Sequence, residues 1–146
     1  MNSAVQILKA VETRLKAAVG TFAQVTRNQT RPLQTTKPII DISMGGSDPS
    51  YNTIGLTDWD FEIFTDLIFL DVGKNNEDFD EKALYLREIV HKALLDQSVP
   101  PLGLDFVIRI DSDGMSEPDY DTDGTRVFAV VTLKWVVSYR TSTNEI

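Results

Sequence analysis

The 146-residue chain contains no cysteine and a single histidine, His91. No disulfide, thiolate metal cage or thiol nucleophile can be built from it, although absence of Cys alone does not fix the redox compartment. Any imidazole catalysis or His-rich metal site has to be assembled around His91. No apolar run approaches the roughly 18 residues of a membrane-spanning helix. The opening MNSAVQILKAVETRLK also lacks the apolar stretch and small-residue cleavage site of a secretory signal, so the chain is expected to be made and kept in the cytoplasm. Bases are scarce: 14 Lys and Arg stand against 22 Asp and Glu, for a formal net charge of -8. What is present suffices for one compact domain. Hydrophobic residues make up 42% and include two Trp, seven Phe and four Tyr, enough to fill a core and to exclude wholesale disorder.

The charge is unevenly distributed. Up to Pro38 the bases Lys9, Arg14, Lys16, Arg27, Arg31 and Lys37 face one acid, Glu12, so this segment carries +5 and the remainder -13. A nucleic-acid binder gathers its bases without so much negative field beside them, which argues against duplex binding. A basic and an acidic region on one chain suit head-to-tail contact between copies; scattered, solvated charge with no partner is the alternative.

Ser3 followed by Gln6 reads as a capping box, and Leu8, Val11, Leu15, Ala18 and Phe22 recur at helical spacing. They predict a helix from about Ser3 to Val19, stopped at Gly20. Thr21 to Val25 is β-prone, and Thr26 to Pro38, polar and free of acids, reads as a loop or extended arm. Ile39, Ile40 and Ile42 predict a short strand, with turn chemistry between Gly45 and Asn52. From Thr57 the chain alternates, Trp59, Phe61 and Ile63 on one side and Asp58, Asp60 and Glu62 on the other, so this end of the strand has one wet face. Phe64, Leu67, Ile68, Phe69, Leu70 and Val72 then put apolar groups on both faces, predicting a doubly covered second half under a helix. Asp78 to Glu81 offers a second capping box, and Phe79, Ala83, Leu86, Val90 and Ala93 stripe a second helix, widened by Leu84, Ile89 and Leu94, that ends near Pro100 and Pro101. Leu104 to Asp111 alternates as a strand, a long acidic loop follows, and Val127 to Arg140 forms a final strand with Val127, Ala129, Val131, Leu133, Trp135, Val137 and Tyr139 on one face. The last two strands are expected to pair as an antiparallel hairpin. The order α-β-β-β-α-β-β, without a repeat or a dividing linker, predicts a single α+β domain with a mainly antiparallel or mixed sheet flanked by two helices.

Few residues suggest chemistry. Asp119, Asp121, Asp123 and Gly124 match the opening of a calcium loop, but the twelfth position, where a bidentate Glu closes the shell, is Val130. With six acids and no base from Asp111 to Asp123, a solvated hairpin loop is the favoured reading, and no metal is assigned. His91, on a helix beside Val90 and Lys92, reads as structural or solvated. Gly45-Gly46-Ser47-Asp48 lacks the Lys-Ser/Thr of a P-loop and the flanks of a nucleophile elbow, and reads as a turn. Trp59, Phe61, Trp135 and Tyr139 align as a stacking platform would, yet lack surrounding bases, so core or subunit interface is preferred. No catalytic, cofactor or metal residue is assigned, and the chain is not expected to be an enzyme.

Taken in order, the Val5 to Val19 helix, Pro38-Ile39-Ile40-Asp41-Ile42, the long strand Asp60 to Val72, the Leu84 to Leu95 helix, the Leu104 to Ile110 strand and the closing Val137-Ser138-Tyr139-Arg140-Thr141 resemble the tail terminator and tail completion proteins of long-tailed bacteriophages. The resemblance spans nearly the whole chain, and its nearest approach to a motif is the final Tyr-x-Thr. It implies a structural virion protein, assembled in the host cytoplasm, that forms a hexameric ring at the head-proximal end of the tail tube. Such a ring ends tube polymerisation and joins the tail to the head-completion or connector protein, with DNA passing through its lumen without specific binding and no membrane involved. A negative lumen suits the composition, because an acidic wall repels phosphate; the Asp111 to Asp123 segment is the candidate lumen or end-face element and the Thr26 to Pro38 arm the candidate contact with a neighbour or the tube. The competing readings are another phage neck or head-closure adaptor, a tail-tube subunit, and a small-ligand-binding α+β domain.

Overall fold

A computed structural model describes residues 2–28, 37–70, 79–96, 99–123 and 126–142. Helix α1 (Ser3–Val19) leads into the short strand β1 (Gln24–Arg27), followed by two 15-residue strands, β2 (Ile39–Thr53) and β3 (Leu56–Leu70). Helix α2 (Phe79–Leu94) and a single 3-10 turn (Pro101–Gly103) precede β4 (Val107–Met115), β5 (Asp119–Asp123) and β6 (Arg126–Ser142). The result is the expected α+β architecture: two helices and one six-stranded mixed sheet, ordered β1-β2-β3-β6-β4, with β5 also on β6. Among the described residues only the β1–β2 pair is parallel.

Both helices pack on the same face of the sheet. Phe61, Ile63, Leu67 and Phe69 of β3 and Ala129, Val131, Leu133, Trp135, Val137 and Tyr139 of β6 point into that layer and are buried. Each such large side chain contributes roughly 1.5–3 kcal/mol on burial. The alternation read from the sequence thus gives the right face on both central strands, and Phe61, Trp135 and Tyr139 are core rather than a stacking platform. The Trp135 indole N–H donates to Thr65 Oγ1 at 3.1 Å, so the one polar atom of this buried ring is satisfied.

Five expectations are corrected. The cap of α1 is Asn2, not Ser3: the Asn2 side-chain oxygen accepts from the N–H groups of Ala4 (2.8 Å) and Val5 (3.3 Å). Its buried seam is Ile7, Val11, Leu15 and Val19, a strict fourfold series, with Ala18 and Phe22 left exposed. In α2 the seam closes on Leu94, and Leu84 faces outward. The Gly45–Asn52 turn is strand: β2 continues to Thr53 through irregularities between Met44 and Ser47 and between Pro49 and Tyr51, and the chain reverses at Ile54-Gly55. Gly55 takes φ 88°, which a side chain would strain, while Gly45 is required by crowding, since a Cβ there would lie 2.7–2.9 Å from Phe64 and Glu62. The acidic loop is also strand. Asp111 and Asp113 belong to β4 and Asp119, Asp121 and Asp123 to β5, and both pair along one side of β6 with only Ser116–Pro118 between them. Weak β propensity yields here to a continuous partner strand, and charge on an edge is well tolerated.

The doubly covered half of β3 is not found among the described residues. Phe64, Ile68 and Leu70 stay half-buried on the face opposite the helices. Val72 and the Asp78 cap lie outside the described residues.

Candidate assembly surfaces

The sheet face away from the helices is chemically distinctive. Its axis is the long β3–β6 pair, in which Asp58 stands opposite Arg140, Asp60 opposite Ser138, Phe64 opposite Lys134, Asp66 opposite Thr132 and Ile68 opposite Val130. β2 adds Asp41 beside Asp66, and β4 and β5 add Asp111, Asp119 and Asp121. Acids therefore dominate this face, and its bases Arg109, Lys134 and Arg140 are engaged in ion pairs. Arg140 grips Asp58 through two bonds, Nε to Oδ1 at 2.7 Å and Nη2 to Oδ2 at 3.1 Å. Lys134 bridges Asp113 (3.2 Å) and Glu62 (3.4 Å), and Arg109 pairs with Asp111 at 2.9 Å.

These pairs set the titration behaviour. The Arg140 guanidinium, first by its hydrogen bonds, holds the Asp58 carboxyl below its ordinary value. The hydrogen bond to Asp113, then that to Glu62, raises the Lys134 ammonium. Asp66 moves the other way: burial lifts its carboxyl, and the negative charge of Asp41 adds to that, against the lowering bond from Thr132 Oγ1 at 2.7 Å. Asp41, only 5% exposed, accepts from Thr26 Oγ1 at 2.7 Å. A polar row Thr26–Asp41–Asp66–Thr132 thus crosses four strands, with two acids adjacent at its centre.

The sheet also has two unlike free edges among the described residues. On one side β1 covers β2 only from Ile39 to Ile42, leaving the outer backbone of Ser43 to Thr53 without a strand partner. On the other side β4 and β5 pair with β6 alone. Unpaired N–H and C=O groups along such edges are templates for another chain. The β2–β3 hairpin carries Tyr51, Ile54 and Leu56 exposed at its end, with Ile54 at 105% relative exposure.

Between α2 and β4 lies an open groove of about 740 Å³. Trp135, Leu133 and Met115 form its apolar part, Leu84, Tyr85 and His91 come from the helix, and Glu81, Arg87, Glu88 and Lys92 provide the polar rim. Glu88 and Lys92 neutralise each other at 2.7 Å, and Arg87 reaches Met115 Sδ at 3.9 Å. His91 lies with its ring centroid 6.0 Å from that of Trp135, a contact that gives it a packing role.

The residues singled out in sequence are not gathered into a catalytic or metal centre. Asp119 and Asp121 share one side of the edge strand β5, Gly124 lies outside the described residues, and no group of three or more His, Asp or Glu among the described residues is placed to hold a metal ion. Asp48 lies in the β2 ladder opposite Asp60. Of the basic N-terminal segment, Arg14 pairs with Asp96 at 2.6 Å, and Glu12 takes both Arg27 (3.1 Å) and Lys16 (3.3 Å), so much of the local surplus is used within the subunit. Arg31 lies outside the described residues. Sequence reasoning missed the groove, because no sequence spacing places Leu84 and Met115 along one groove, and it missed the hairpin tip, for which an aliphatic residue beside a turn glycine was the available signal.

No family model and no curated protein matches the chain. Among solved structures 31 chains match it. One of them is a chain of the virion of a native gene transfer agent particle, aligned over 92% of this chain and 95% of that one with a TM-score of 0.56 and 15% sequence identity. At that identity the likeness establishes a shared fold over nearly the full length of both chains. No helix among the described residues is long and apolar enough to cross a membrane.

Proposed function

We propose that this chain is a structural protein of a phage-like virion, and within that class a tail terminator: a ring-forming subunit that ends tail-tube growth and meets the head connector. The observation that carries the virion assignment is the end-to-end fold likeness to a chain of a gene transfer agent virion. The terminator reading adds the resemblance in element order and length. The surfaces described above suit that task. An open sheet face dominated by acids, with Arg109, Lys134 and Arg140 held in ion pairs, repels nucleic-acid phosphate and lets DNA pass a lumen wall without being held. Two unlike free edges support heterologous contacts, which close into a ring when the rotation per subunit is right.

The test is native mass spectrometry with light scattering on the purified chain, followed by electron microscopy of tail tubes grown with and without it. A six-subunit species and tubes capped at one end are the expected result. A chain that stays monomeric at every concentration and leaves tube growth unlimited overturns the terminator assignment.

A further inference from the structure

We infer that the tip of the β2–β3 hairpin docks into the α2–β4 groove of a second copy of this chain. The tip is anomalous for a turn. Two-residue hairpin loops favour Asn, Asp and Gly, whereas this one sets Ile54 before Gly55 and leaves the Ile side chain wholly in solvent, with Tyr51 and Leu56 exposed beside it. Among the described residues Ile54 packs on nothing, and a cluster of exposed apolar groups marks a contact. The groove has the matching character. Leu84, Tyr85 and Met115 are exposed around a floor that reaches Leu133 and Trp135.

Charge selects the second copy as the occupant. The chain carries -8 overall and its open sheet face is acidic, so most approaches between copies bring like charges together. The tip is an exception: Pro49 to Thr57 contains no charged residue. The groove is another, since Glu88 is neutralised by Lys92 and its other two rim charges, Glu81 and Arg87, are of opposite sign. These two neutral, apolar surfaces can meet without repulsion. Their positions agree as well, because the tip ends the free edge of β2 and the groove is walled by the free edge of β4. Joining two unlike patches leaves each joined pair with one free tip and one free groove, so the contact propagates head to tail. It deepens the ring reading, and rests on it for closure.

The absence of native cysteine permits a clean test. Ile54→Cys is mixed with Ser112→Cys, which places a thiol on the groove wall, and the rate of interchain disulfide formation is compared with that of Ile54→Cys mixed with Lys9→Cys on the exposed side of α1. The groove pair should cross-link about tenfold faster or more, because a formed contact holds the thiols at an effective concentration far above that in solution. Equal rates overturn the proposal. A second variant, Ile54→Asp, changes a side chain that packs on nothing and should keep the circular dichroism spectrum of the native chain while losing self-association. If Ile54→Asp still gives rings, the tip contact falls and the ring reading stands; if the groove pair cross-links but tubes are never capped, the contact stands and the terminator reading falls.

Discussion

Replacing Thr65 by Val tests the polar link that fixes Trp135 in the core. Thr65 is fully buried and Trp135 is 1% exposed, and the indole N–H donates to the Thr65 hydroxyl at 3.1 Å. Val has nearly the shape of Thr, so the change opens no cavity; it leaves a donor without an acceptor where water does not reach. An orphaned buried group of this kind costs about 1–3 kcal/mol. For a domain of this size each kcal/mol lowers the melting temperature by roughly 2–4 °C, so a loss of about 2–12 °C is expected by differential scanning calorimetry. Thr65→Ser keeps the acceptor and removes one methyl, costing about 1 kcal/mol. The decisive comparison is in a Trp135→Phe background, where there is no indole N–H to satisfy. There Thr65→Val should be neutral or stabilising. An equal cost in both backgrounds refutes the reasoning, because it would mean the penalty comes from packing around residue 65 and not from the hydrogen bond.

Three further outcomes are expected. Asp66 has its carboxyl raised by burial beside Asp41, so its ionised form is disfavoured in the folded chain; stability should fall as pH rises from the unfolded carboxyl range, near 4, through the raised value. Asp66→Asn should therefore melt higher than the parent at pH 7 and lose that advantage at pH 3, as followed by thermal melts across pH. Asp58 is held low by Arg140, so its contribution is present above the unfolded carboxyl range and lost as pH falls through the depressed value; since Arg140 is half exposed, Arg140→Ala should shift the melt less than Thr65→Val does, and high salt should erase the difference. Asn2→Ala should cost about 1 kcal/mol in denaturant unfolding, while Ser3→Ala costs a small fraction of that, because the capping oxygen belongs to Asn2.

Legibility in the sequence followed the strength of local periodicity. The alternation through Trp59, Phe61 and Ile63 and from Val127 to Tyr139 was strong enough to assign the inner face of both central strands, because a strand buried on one side must repeat every second residue. The seam of α1 was less determinate: Ile7 and Leu8 both begin helical series that share Val11 and Leu15, and the position of the second layer decides between them. Local signals misled where a partner strand overrode them. Gly45 to Asn52 and Asp111 to Asp123 carry glycine, proline and acids that favour turns, yet each lies along a long neighbour, β3 or β6, whose ladder satisfies its backbone.

Composition and periodicity by themselves determined one α+β domain, the order of its elements, the buried face of its central strands and a net negative charge. Tertiary structure alone decided that both helices share one side, that the acids of β2, β3 and β4 collect on the other, that the sheet keeps two unlike free edges, and that Leu84 and Met115 line one groove. The physical reason is distance along the chain. Which side chains point the same way within one element follows from helix and strand geometry, whereas which elements lie side by side depends on contacts between residues tens of positions apart, to which no local spacing refers.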